Sequence, residues 1–299
     1  MDKLVEREAA ARTPLSTAPA VAVQFFLIPL LVVGATVLVY VGFRSLLTDD
    51  RSAEEYLVDI RSGGTNRRWP AAYELSRMMS DPGFVKSQEA VLAPELTQAF
   101  ADSKNDDPRV RQYLALTLGR LTPPIPLEAR TLLIEALHDQ DSQTRISAIW
   151  ALGSTGDATA VADIQRAYLS EDAGVRKMVV YALGSIPGDA SVQALLEALD
   201  DIEADVQWNA AMALARHGRH ESAGVLRRML DREYVARNVT RQQQAQDEID
   251  PVSEVIMNGL RAIASLKETS LLELVKAVSV DDPNIKVRQA ALQTLKTLG

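Results

Sequence analysis

From Arg67 to the end of the chain one ten-residue pattern keeps returning: an apolar residue, an arginine, then small and apolar residues closing on Leu-Gly. The clearest copies are Val110 to Gly119 (VRQYLALTLG), Thr144 to Gly153 (TRISAIWALG) and Val175 to Gly184 (VRKMVVYALG). Val206 to Ala215 and Val287 to Lys296 keep the frame with Gln207 and Arg288 in the arginine position, and weaker copies begin at Arg67 and Val255. The arginine positions are 68, 111, 145, 176, 207, 256 and 288, which puts the separations at 43, 34, 31, 31, 49 and 32 residues. A period of 31 to 34 residues restricts the chain to an array of small supersecondary units.

Each unit reads as two helices. Apolar residues three, four and seven after the arginine fall on one face at 3.6 residues per turn, as Ala148, Ile149 and Leu152 do after Arg145. Asp107, Asp141 and Asp172 stand four residues before their arginines, where an N-cap accepts backbone N–H bonds, and Gly119, Gly153 and Gly184 stand where the helix is expected to stop. Amphipathic second stretches follow at Leu127 to Leu137, Ala158 to Leu169, Ala190 to Leu199, Glu221 to Leu230 and Ser270 to Val278. A lone hairpin of this kind cannot bury its own apolar stripe, so neighbouring hairpins must stack into a continuous core.

The VRxxxxxALG frame preceded by Asp resembles the HEAT-like repeats first described in phycobilisome lyases, over about residues 64–299. The resemblance implies an all-α fold, an α-solenoid of about seven HEAT-type hairpins. It implies no single activity, because repeats of this kind serve bilin lyases, DNA glycosylases, a diiron hydroxylase and many scaffolds.

The column five residues after the arginine carries Tyr73, Leu116, Trp150, Tyr181 and Met212, then Arg261 and Gln293. It lies about 200° round the helix from the leucine column at seven. The expectation is an outward apolar stripe suited to a protein partner, with burial between adjacent repeats as the alternative. The recurring arginines are expected to serve the fold by bonding to helix ends or capping aspartates. Two separations exceed the period, leaving extra sequence at 80–94 and a polar, Gln-rich insertion near 236–250.

Catalysis is not expected. The chain lacks cysteine, and His138, His217 and His220 are its only imidazoles. The diiron hydroxylase family uses several His-Glu pairs, and His220-Glu221 is the one found here. No phosphate loop, nucleophile elbow or HExxH is present, so no cofactor or metal site is assigned. A net charge of −8 argues against a nucleic-acid partner, whose phosphates call for clustered Lys and Arg.

Val21 to Phe43 runs 23 residues without a charge, roughly 35 Å as a helix, and is expected to be a single transmembrane helix contacting lipid. It would follow a tail at 1–20 and lead through a juxtamembrane linker or helix at 44–63 into the repeats. Lys3, Arg7 and Arg12 before it balance Arg44, Arg51 and Arg61 after it, and a short leading tail favours the large domain on the non-cytoplasmic side. The expected function is thus a membrane-anchored scaffold or adaptor, with a bilin-lyase-like enzyme or maturation factor and a structural subunit of a membrane complex as alternatives.

Overall fold

The computed structural model describes residues 27–47, 51–239 and 250–299. It divides into two compact units, Met1–Ser52 and Ala53–Gly299. The described part of the first is one helix, Ile28–Leu47, whose apolar side chains from Leu30 to Tyr40 are exposed, Leu38 at 73%. Here the expected span Val21–Phe43 needs correcting. Residues 21–26 lie outside the described ones, and among the described residues no helix is long and apolar enough to cross a membrane. The described part of the expected span, Ile28 to Phe43, rises about 24 Å as a helix.

Every regular element among the second unit's described residues is a helix. All seven pattern copies lie on helices: Thr65–Met78, Pro108–Leu118, Ser142–Thr155, Ala173–Leu183, Ala204–Arg216, Pro251–Leu266 and Ile285–Leu298. Asp107, Asp141 and Asp172 cap their helices through bonds from Arg109 N (3.0 Å), Thr144 N (3.3 Å) and Gly174 N (2.8 Å). The short second helices, such as Leu127–Glu135, Val161–Arg166 and Val192–Glu197, continue into 3₁₀ turns that close each hairpin. The extra sequence at 80–94 lengthens a second helix to Pro82–Asp102, begun by an Asp81 cap and Pro82 in its first turn. One more helix, Arg232–Asn238, leads into the Gln-rich insertion at 236–250, whose residues 240–249 lie outside the described ones. A helix ahead of residue 64, Ala53–Ser62, packs on Thr65–Met78 through Tyr56, Leu57 and Ile60.

Consecutive motif helices lie directly against one another along the array, whereas successive second helices touch sparsely. A double layer packed more closely on one side bends towards that side, so the motif helices line the inner face of the solenoid. The core between the layers is built from the columns at three, four and seven, including Leu114, Leu118, Ile149, Leu152, Val179 and Leu214. Full burial of each such side chain contributes about 1.5–3 kcal/mol.

The Leu-Gly ending has a different cause from the one expected. Gly119 and Gly184 end their helices with φ of −69° and −71°, values open to any residue, and Gly153 lies inside a helix that stops at Gly156, φ 65°. What excludes a side chain is the neighbouring repeat: a Cβ on Gly153 would fall 2.6 Å from Ala182 Cβ, and one on Gly184 would fall 2.5 Å from Ala213 Cβ. Each alanine precedes the Leu of the next motif, so the Ala-Leu-Gly ending is an interlock between repeats.

Candidate functional site

The arginine position binds the array together from inside. Arg145 Nη1 donates to the carbonyls of Asp139 (2.8 Å) and Gln140 (3.0 Å), and Arg176 Nη1 donates to those of Ser170 (3.1 Å) and Glu171 (3.0 Å), the exposed end of the preceding hairpin. Arg288 and Gln207 repeat this on Asp282 and Asp201 carbonyls. Three of the arginines also reach forward: Arg68 pairs with Asp106, Arg111 Nε donates to Asp139 (2.7 Å), and Arg176 grips Asp201 with two bonds of 2.9 and 3.0 Å. Tyr168 adds a hydroxyl donor to Asp201 at 2.5 Å. Burial pushes the Asp201 carboxyl up, but these bonds from Arg176 and Tyr168 outweigh it and hold the pKa below the usual carboxylate value. The sixth copy has Ile256 in the slot, and Arg232 from the inserted helix takes its place on Asp282 (2.8 and 3.0 Å) while touching Asp250 and Ser253.

The column at five reaches the surface of the inner face. Tyr73 and Tyr181 are 44% and 43% exposed, and Leu116, Trp150 and Met212 are half-buried. Side chains from neighbouring positions extend it into a ladder. Tyr73 meets Tyr113 edge to face with ring centres 5.3 Å apart, and Arg109 lies 4.5 Å over Trp69. The Arg120 guanidinium stands 5.5 Å from the Trp150 ring, and Arg216 donates to the Gly184 carbonyl (3.2 Å). Partial burial there, opposed by nearby Tyr181, draws the Arg216 pKa below the ordinary guanidinium value. Trp69, Tyr113, Arg120 and Arg216 escaped the sequence reading, although the columns one, two and nine after the arginine, one turn either side of five, hold them.

The three histidines do not converge. His220 Nδ1 contacts Glu268 (2.6 Å), His217 Nε2 lies 3.4 Å from the Leu183 carbonyl, and His138 lines a polar cavity of about 590 Å³ with Glu135, Asp139 and Asp141. Among the described residues no cluster of three or more His, Cys, Asp or Glu could hold a metal ion.

Stacked hairpins and a glycine–alanine interlock define an α-helical repeat protein. The chain belongs to the HEAT-repeat family, which matches it over residues 93–174, 130–215 and 164–246, together just over half its length. Deoxyhypusine hydroxylase of Chaetomium globosum is 35% identical over 120 residues, 39% of this chain and 33% of that protein. The Neurospora crassa protein of the same name is 30% identical over 114 residues, 38% of this chain and 32% of that protein. The chain thus spans about a third of the length of the curated relatives it matches. An archaeal HEAT-like repeats protein from Thermococcus onnurineus superposes with a TM-score of 0.44 at 13% identity, covering 84% of this chain and 98% of that one.

Two expectations change. The resemblance narrows to HEAT repeats as a family, without support for the phycobilisome-lyase type. The expectation that the chain is no enzyme is overturned by its relatives, which carry an enzyme's name.

Proposed function

We propose that this HEAT-repeat chain is a binding scaffold whose inner face holds an extended segment of a partner protein. The observation that carries it is the run of Tyr73, Leu116, Trp150, Tyr181 and Met212 along successive helices of one face, none of them fully buried. Aromatic side chains in such a row offer large contact area at small entropic cost, the composition of interface hot spots. Cross-linking in the native membrane and purification should recover a dominant partner with wild-type protein and lose it with Trp150→Ala/Tyr181→Ala. Equal recovery with the folded double variant counts against the reading.

The apolar helix Ile28–Leu47, with the uncharged residues that precede it, supports a tether that raises the scaffold's effective concentration at a bilayer. In this reading the repeats lie on the non-cytoplasmic side. Cysteines placed on the repeats of this cysteine-free chain should react with an impermeant maleimide in intact cells; labelling only after lysis reverses the orientation, and release of the protein by carbonate removes the tether.

A second reading, favoured by the named relatives, is enzymatic. The donors do not fit a diiron centre: His220 is engaged with Glu268, and no second His-Glu pair accompanies His220-Glu221. The polar cavity at His138, Glu135 and Asp139 is where titratable groups gather. Hydroxylation of a deoxyhypusine-bearing protein by purified chain, abolished in His138→Ala, supports this reading, and its absence in wild type removes it.

A further inference from the structure

The charge layout of the inner face is unlike that of the chain. At the positions one, two, five and nine after the arginine, across all seven repeats, there is no Asp or Glu, although the chain carries 40 of them and a net charge of −8. The same positions hold Arg77, Arg120, Lys177, Arg216 and Arg261. Arg77 pairs with Glu74 and Lys177 approaches Asp205. Arg120, Arg216 and Arg261 have no carboxylate partner among the described residues: Arg120 rests on Trp150 with its Nε buried and unbonded, Arg216 bonds a backbone carbonyl, and Arg261 bonds the Asn258 amide oxygen (2.8 Å). Elsewhere in the repeats Arg68, Arg111, Arg130, Arg176 and Arg232 each hold an aspartate, while Arg145, Arg228 and Arg288 are taken up by carbonyl or amide oxygens that tie the hairpins together.

We infer that the segment bound on the inner face is acidic: an extended peptide whose carboxylates meet Arg120 and Arg216 while its apolar side chains rest on Trp150 and Tyr181. The inference rests on the scaffold reading and adds the chemistry of the occupant. Arg120 leans on the third motif helix and Arg216 on the end of the fourth. Adjacent helices lie about 8–10 Å apart. The Trp150 ring lies back against Gly119, so the two guanidiniums are one to two such steps apart; at about 3.3 Å per residue an extended chain covers that in roughly three to six residues, which sets the spacing of the carboxylates that reach both. A carboxylate there completes charge-assisted, bidentate-capable bonds that the protein itself leaves open, and the acidic groups nearby are already engaged, Glu89 with the Thr122 amide and Asp205 with Lys177. Nucleic acid is the poorer fit, because few free cations spread along the array give a small phosphate footprint on a chain of negative net charge.

The test uses the full chain and fluorescence anisotropy with a labelled 12-residue peptide of Leu, Ser and four Glu, two matched peptides with Gln or Lys in place of Glu, and a labelled 12-nucleotide single strand. The Glu peptide should bind at least tenfold more tightly than the Gln peptide and weaken with salt, with the Lys peptide and the strand weaker still. Arg120→Gln/Arg216→Gln should weaken the Glu peptide about tenfold and leave the Gln peptide unchanged, and Arg120→Lys/Arg216→Lys should restore part of the loss. Equal binding of Glu and Gln peptides overturns the acidic occupant and leaves the scaffold reading standing. Binding of no peptide overturns both, and tightest binding by the Lys peptide or the strand overturns the inference in favour of that chemistry.

Discussion

Two glycines with opposite environments show how the array is built at the scale of single residues. Gly153 faces Ala182 across the repeat boundary, and Gly153→Val should cost about 1–3 kcal/mol in urea unfolding because neither helix backbone can yield. Gly224, in the helix Ala223–Met229, has open space where a Cβ would go, so Gly224→Ala should raise stability by about 0.5–1 kcal/mol through helix propensity. Equal effects of the two substitutions would contradict the interlock. Asp201 gives a second residue-scale outcome. Its side chain is 4% exposed, and Asp201→Asn strands Arg176, at a cost of about 3–5 kcal/mol near pH 7. Because the folded carboxyl titrates below its unfolded value of about 3.9, its contribution is complete above that pH and fades as pH falls through the folded pKa. The gap in urea midpoint between wild type and Asp201→Asn should therefore hold from pH 7 to about 5 and narrow on further acidification. A gap constant down to pH 3 would show that Arg176 and Tyr168 do not set it.

At the scale of elements, the sequence was most legible where the repeat is regular. Period, stripe and caps located the motif helices, and the second stretches fell within about three residues of the observed ones, because both follow from 3.6-residue spacing and Asp caps. The reason for Leu-Gly was hidden, since one hairpin does not reveal what the next presses against it. So was the inserted helix Arg232–Asn238, where polar sequence gave no apolar stripe to follow. A sign of it existed nonetheless: Asp282 stands at the spacing of Asp139 and Asp201, yet Ile256 leaves it without its usual arginine. Arg232→Ala should expose that debt, lowering stability by about 2–4 kcal/mol and loosening the last two motif helices first in hydrogen exchange. Uniform loss of protection along the array would contradict this local role.

At the scale of the whole molecule, fold and binding draw on different columns of the same helices. Positions three, four and seven build the core, the arginine position ties hairpins in sequence, and positions five and nine stay open to the inner face, none of them buried. Substitutions in the last set should therefore change recognition with little effect on unfolding. The column at five could be named from sequence because aromatics recur there, whereas its exposure depended on how closely successive helices approach. The flanking arginines were invisible as a group until neighbouring repeats were laid side by side. A photo-crosslinking residue placed at Tyr181, and separately at Leu169 on an 87% exposed site between repeats, tests the central claim most directly. Cross-linking of one partner segment from position 181 alone, competed by the Glu peptide, is the predicted result. Cross-linking from 169 alone, or equally from both, would contradict an inner-face binding site.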